Sequence, residues 1–260
     1  AGGEIMPVME TFDAVSSGML KIDFSYGPYW IGKLPMAIYA SGIPPFTLTR
    51  WEQYKVMYYE LGLEKLIREA YAKHNIFYVA AMPTNNAVML SKFPVHKAAD
   101  LKGKKFRATG LYAEVLNEAG ASATYFPWGE IYGALEKGTI DGVIAGPLSS
   151  QADSGFHEPT KFLLETPITP VDAWSLHVNM DAWKELPDDL KQLLVESASY
   201  AADLFTGSYF VHDVQWRKKI VEEHGFTVTT LPEEEQRKMS QYSMAVLDKY
   251  SKKDPIFAKT

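Results

Sequence analysis

The sequence predicts an α/β protein of two lobes joined by long elements, and three features lead there. From Ile76 to Ile144, short apolar runs alternate with helical stretches of ten or so residues, the signature of α/β units with mainly parallel strand pairing. The C-terminal part reads as largely helical. The length of 260 residues exceeds the roughly 100–200 of an ordinary domain, yet no internal repeat, low-complexity tract or flexible linker separates two independent units. Apolar residues make up 47% of the chain, with 13 Phe, 15 Tyr and 6 Trp, which fills a sizeable core and excludes disorder.

The elements follow in order. Pro7–Gly18 has Val8, Phe12 and Val15 on one helical face and Gly18 as a stop. Lys21–Tyr26 alternates Ile22, Phe24 and Tyr26 with Lys21, Asp23 and Ser25, so the apolar set is expected to face inward from a half-buried strand. A glycine- and aromatic-rich loop, Gly27–Lys33, comes next. Thr49 is placed to cap a helix through about Tyr59, and Leu63–His74 forms another. Ile76–Ala81 suits a central strand and Asn85–Ser91 a second. Lys105–Thr109 is a short strand ending at Gly110, followed by a helix from Leu111 to before Gly120. Tyr125–Trp128 reads as strand or loop, Glu130–Lys137 as a helix closed by Gly138, and Ile140–Ile144 as a strand. Asp181–Trp183, Asp188–His224 and Pro232–Lys249 are helical, interrupted by a strand at Phe226–Thr230.

Composition removes several function classes. Against 26 Lys plus Arg stand 32 Asp plus Glu, a formal charge of -6. Such a chain has no general field for nucleic acid or anionic membrane, so any anion must be captured locally. Cysteine is absent, which removes disulfides, thiolate metal sites and thiol nucleophiles. Apolar runs such as Ile76–Ala81 fall far short of the roughly 20 residues that span a bilayer. Ala1–Ile5 shows no charged segment followed by an apolar one, so no signal peptide is expected here, and a processed precursor would look the same.

Catalytic constellations are missing as well. Gly27–Lys33 fits G-x-x-x-x-G-K, but Leu34 stands where a phosphate loop needs Ser or Thr, and Tyr29 and Trp30 crowd the backbone. There is no G-x-G-x-x-G, G-x-S-x-G or H-E-x-x-H. The histidines at 74, 96, 157, 177, 212 and 224 are scattered, and His157-Glu158 runs into Pro159. Arg107 differs. It ends a short strand leading into a helix, where ligands of open α/β sheets bind. Its planar fork matches a carboxylate, and spacing alone equally allows a surface arginine paired with a neighbouring acid.

Around Arg107 the sequence resembles a known family. Ala99-Asp100-Leu101-Lys102-Gly103-Lys104-Lys105-Phe106-Arg107, then Gly120-Ala121, then Phe126-Pro127-Trp128-Gly129-Glu130 through Ala134-Leu135-Glu136-Lys137-Gly138-Thr139-Ile140-Asp141-Gly142 is similar to the DctP family. These are the extracytoplasmic solute-binding proteins of tripartite ATP-independent periplasmic (TRAP) transporters. Gly2-Gly3-Glu4-Ile5, Asp13–Gly18, Pro44-Pro45-Phe46 and Asn179–Trp183 with Leu186-Pro187 extend the resemblance over essentially the whole chain, particularly to the branch binding small keto, hydroxy and aromatic acids.

The resemblance implies a two-lobed periplasmic binding protein fold, type II-like, with a cleft between lobes. Residues 1–84 plus 173–212 form lobe I, and residues 85–172 plus 213–260 form lobe II. It implies that a small organic acid is bound in the periplasm and delivered to the membrane permease of a TRAP transporter, by a monomer or dimer without enzymatic activity, cofactor or nucleic-acid partner. The alternatives are a ligand sensor for a receptor kinase and an enzyme acting on a small carboxylic acid. In the family the arginine matching Arg107 grips the ligand carboxylate, and the position matching Trp128 often sets a ring against it. Tyr29, Trp30, Asn85, Asn86, Gly146, Trp174 and His177 are further candidates for the cleft.

Two departures stand out. Relatives often carry Asn shortly after the Asp-Gly pair, where this chain has Val143–Pro147. The cation-bridged keto-acid branch has Gln on the crossing strand and Glu-Trp after the Asp-Gly region, where Val88 and Ile144-Ala145 stand here. A bound metal ion is therefore not expected. The family's first strand and helix also have no counterpart before Gly2-Gly3-Glu4.

Overall fold

The computed structural model describes residues 6–48 and 50–260, so the proposed cap at Thr49 and the Gly2–Ile5 motif lie outside the described residues. Two sheets organise the chain. The first has three strands in the order β1-β8-β2: β1 (Ile22–Ser25), β2 (Ile76–Pro83) and β8 (Ala173–Asn179). The second has six in the order β5-β4-β6-β3-β7-β9. Its members are β3 (Ala87–Ser91), β4 (Lys105–Arg107), β5 (Ser122–Thr124), β6 (Gly142–Ile144), β7 (Phe162–Thr169) and β9 (Thr227–Thr229).

Helices α1 (Thr11–Ser16), α2 (Ala37–Ala40), α3 (Trp51–Lys55), α4 (Leu63–Ala72) and α8 (Met180–Glu185) belong with the first sheet. Helices α5 (Gly110–Glu118), α6 (Ile131–Glu136), α7 (Leu148–Asp153) and α10 (Glu233–Ser251) belong with the second. Helix α9 (Asp188–Glu222) has 35 residues, about 50 Å at 1.5 Å per residue, and packs on both β2 and α7. No helix among the described residues is long and apolar enough to cross a membrane.

The expectation of mainly parallel pairing needs correction. Both pairings of the first sheet are antiparallel, and β3 runs antiparallel to β6 and β7. Parallel pairing is confined to β4–β5, β4–β6 and β7–β9. The cause is the chain path: β2 crosses into β3, and β7 returns into β8, so the crossing strands oppose their neighbours. Strands β7 and β8 have no clear counterpart in the sequence reading, because proline at 167 and 170 and polar residues at 172, 175 and 177 interrupt their alternation.

The inward face of β1 is also reversed. Ile22 and Phe24 are exposed at 52% and 43%, whereas Ser25 is buried. Asp23 and Ser25 lie opposite His177 and Ser175 in the ladder. Here the polar side chains find buried partners, with Asp23 accepting from Ser25 and facing His177 Nδ1 at 3.9 Å. Phe24 stacks instead on Trp174 and meets Phe205 of α9 edge-on. Pairing within the fold therefore overrides the alternation pattern.

The two crossings are tied together. Thr84 donates its backbone N–H and its hydroxyl to the Asp172 carbonyl at 2.7 and 2.8 Å, and the Asp172 N–H reaches the Asn85 carbonyl at 3.3 Å. Gly42 bridges to Asp172 with φ of 134°, and a Cβ there would lie 2.4 Å from the Val171 carbonyl oxygen. Both backbone angle and space require glycine. Gly42→Ala is expected to cost about 3 kcal/mol, lowering Tm by roughly 5–10 °C. Gly207→Ala, in α9 with no atom within 4 Å of the added methyl, should raise it slightly; thermal denaturation of the two variants checks both.

Candidate functional site

Strands β4 and β6 run parallel, with Arg107 opposite Val143, so both end at the same edge of the second sheet and deliver Arg107 and Gly146 to one mouth. Arg107 is 3% exposed, and its Nε donates to the Phe126 carbonyl at 3.2 Å. This bond turns the guanidinium toward Tyr125 and Trp128, whose ring centroids lie 5.6 and 6.0 Å from it. The Tyr29 hydroxyl lies beside it as well. No salt bridge to Arg107 occurs among the described residues, so the reading of Arg107 as a surface arginine paired with an acid does not hold. Burial pulls its pKa below the ordinary range, partly offset by the Tyr29, Tyr26 and Tyr125 hydroxyls.

Aromatic rings wall this mouth. Tyr29 meets Tyr26 edge-on at 5.5 Å and Tyr125 at 6.0 Å, and Trp174 lies 6.1 Å from Tyr26. Trp128 is 41% exposed, packs against Phe156 and donates its indole N–H to Ser154 Oγ at 3.0 Å. A ring held on one side and open on the other can cover a ligand.

The sequence reading missed Asp172. Its carboxylate Oδ1 accepts from Tyr26, at the end of β1, and from Tyr112, on α5, each at 2.9 Å. A hydroxyl from beside each sheet thus converges on one oxygen of the return crossing. Its other oxygen, Oδ2, lies 3.0 Å from where a Cβ of Gly146 would be. Gly146 has φ of 78°, and its carbonyl accepts from Val88 N–H and Gln151 Nε2, which fixes the backbone against the acid. A single aspartate between Val171 and Ala173 carries no spacing signal; only tertiary structure brings its partners from positions 26 and 112.

Of the residues singled out in the sequence, Arg107, Trp128 and Tyr29 come together directly. Trp174 joins them through Tyr26, and Gly146 through Asp172. Others do not. Trp30 is buried at 3% exposure, with its ring on Phe12 and its N–H donating to the Tyr71 hydroxyl at 3.2 Å, so it is a core residue of the first lobe. His177 is likewise core, stacked on Tyr71 at 5.0 Å and 2% exposed. Burial holds its imidazole below its ordinary pKa against the pull of Asp23. Asn85 turns away to donate to Asp213 Oδ2 of α9 at 2.8 Å, and Asn86 is half-buried one step along.

Asp172 also makes stability depend on pH. Burial pushes its pKa up to about 6, against the pull of Tyr26, Tyr112 and Arg107. The folded state therefore holds the proton more tightly than the unfolded chain, a contribution complete below about pH 4 and lost as pH rises past 6. Asp172→Asn is expected to lose this dependence and to exceed the ligand-free parent at pH 7.5 by at most about 3 kcal/mol. Paired thermal melts from pH 4 to 7.5 measure the difference.

Known proteins share the sequence and the fold of this chain. A family model described as bacterial extracellular solute-binding protein, family 7 (DctP), matches residues 2–254. The chain is 31% identical over 208 residues, 78% of its length and 56% of the relative's, to a monocarboxylate 2-oxoacid-binding periplasmic protein of Nostoc sp.. It is 28% identical over 147 residues, 55% of its length and 42% of the relative's, to the ectoine-binding periplasmic protein TeaA of Halomonas elongata. The chain thus spans about half the length of these curated relatives. Among solved structures, a TRAP transporter solute-binding protein of Bordetella bronchiseptica with calcium and picolinate bound superposes with TM-score 0.90 at 25% identity, covering 99% of this chain and 76% of that one. One from Pseudoalteromonas atlantica with sodium and pyruvate gives 0.84 at 28% identity, covering 96% and 76%.

No cluster of three His, Cys, Asp or Glu able to hold a metal ion occurs among the described residues. Similarity over nearly all its length and a shared two-lobed α/β fold make this chain a member of the bacterial extracellular solute-binding protein family 7, DctP.

Proposed function

We propose that this protein binds a small monocarboxylate reversibly in the periplasm and delivers it to the membrane permease of a TRAP transporter, acting as a receptor with no chemistry of its own. The observation that carries the reading is Arg107: a buried guanidinium at a strand end, oriented by one backbone carbonyl, ringed by Tyr29, Tyr125 and Trp128, and answered by no salt-bridging carboxylate among the described residues. A buried charge in that condition calls for a partner, and a ligand carboxylate supplies one in fork geometry. Residues 1–84 with 173–212 and residues 85–172 with 213–260 are the two lobes of this receptor. The crossings at Thr84–Asn86 and at 170–172 are the hinge. The 2-oxoacid binding named for the Nostoc relative and the picolinate and pyruvate named for the two solved relatives support a small acid as ligand.

A thermal-shift screen of keto, hydroxy, amino and aromatic acids identifies the ligand, since an acid at 100 times its Kd adds about 2.7 kcal/mol. For the acid so found, Arg107→Ala is expected to weaken binding about 100-fold, roughly 2.7 kcal/mol, by calorimetry. Arg107→Lys keeps the charge but not the fork and should fall between. Unchanged affinity in Arg107→Ala would overturn the assignment. Trp128→Ala, which removes a ring open to solvent on one side, is expected to cost about tenfold or less.

A further inference from the structure

Resting on that reading, we infer that the ligand is a zwitterion: a small carboxylic acid carrying an ammonium or other protonated nitrogen, its carboxylate on Arg107 and its cationic end on Asp172. Asp172 is 5% exposed and sits on the return crossing. Its Oδ1 is fully engaged by the Tyr26 and Tyr112 hydroxyls at 2.9 Å each, while Oδ2 receives no hydrogen bond among the described residues and lies over the glycine at 146. The missing side chain there leaves the oxygen uncovered. Fixing one carboxylate oxygen by two donors orients the other, and an oriented, unengaged oxygen on a buried residue is a recognition group.

Charge balance then selects the ligand class. The groups facing Asp172 are Tyr26 from the end of β1, Tyr112 from α5, Arg107 from β4 and Tyr29 from the turn after β1. Among them Arg107 is the single cation. A simple monoanion, once on Arg107, leaves the ionised Asp172 without a counter-charge in a buried site, which is costly. A zwitterion answers both charges at once and leaves the closed site neutral. To the ionised Asp172 an oxo group offers only lone pairs, which become useful to it once it is protonated, and a hydroxyl donates a hydrogen bond but no charge.

The test is calorimetry on matched acids: L-alanine, L-lactate and pyruvate, and L-phenylalanine, L-phenyllactate and phenylpyruvate, each at pH 5 and pH 7.5. The expected result at pH 7.5 is that one amino acid binds at least about tenfold more tightly than its hydroxy and oxo counterparts. Its affinity should fall about tenfold at pH 5, because the acid near pKa 6 takes up its proton, and Asp172→Asn should erase the preference. Tighter binding of an oxo or hydroxy acid at pH 7.5, or a preference that survives Asp172→Asn, overturns the inference. The pH series on the unaltered protein decides the matter by itself should the variant fold poorly. If oxo acids bind through Arg107 and amino acids do not, the zwitterion assignment alone fails; if no acid binds at either pH, the receptor reading fails with it.

Discussion

Everything at the mouth of the second sheet follows from placing one oxygen of Asp172 between two tyrosine hydroxyls. Tyr26 follows β1 of the first sheet and Tyr112 lies on α5 beside the second, so this acid joins elements of both sheets at the return crossing. Asp172 is buried, which strengthens each hydrogen bond and raises the cost of the charge. The backbone accommodates the group by abandoning side chains around it: Gly42 bridges to it and Gly146 lies over it. Such a site is poorly optimised for stability, the usual condition of a site built to receive something.

Arg107 and Asp172 together explain why the neighbourhood is aromatic. Rings exclude water and present electron-rich faces or hydroxyls without adding formal charge. Tyr29, Tyr125 and Trp128 stand close to the guanidinium, while Tyr26 and Tyr112 temper the carboxylate. Carboxylates in those places would have neutralised Arg107 internally and left no demand for a ligand. The wall thus leaves the guanidinium without an internal counter-ion among the described residues.

Much of this was legible in the sequence, and the rest was hidden for physical reasons. Strand β2, helix α5 and the long α9 followed from apolar runs and glycine stops, because local pattern and tertiary position agree there. Arg107 was legible because a strand end leading into a helix is a local signature. Strand β1 misled because its polar residues are satisfied across the ladder by His177 and Ser175, which periodicity cannot register. Trp30 and His177 looked like cleft residues because polar or bulky side chains near crossings suggest binding; in the fold they satisfy one another's surroundings in the core. Asp172 was invisible since its partners lie 146 and 60 residues away.

Helix α9 runs past both lobes, and Asp213 on it accepts from Asn85 on one crossing and from the Ser149 N–H at the start of α7. A rod of some 50 Å pinned near the crossing behaves as a splint. It ties the outgoing crossing at Asn85 to the start of α7 through one carboxylate. The stiffness of the crossing is thus set by a helix that contributes none of the side chains gathered around Arg107 and Asp172.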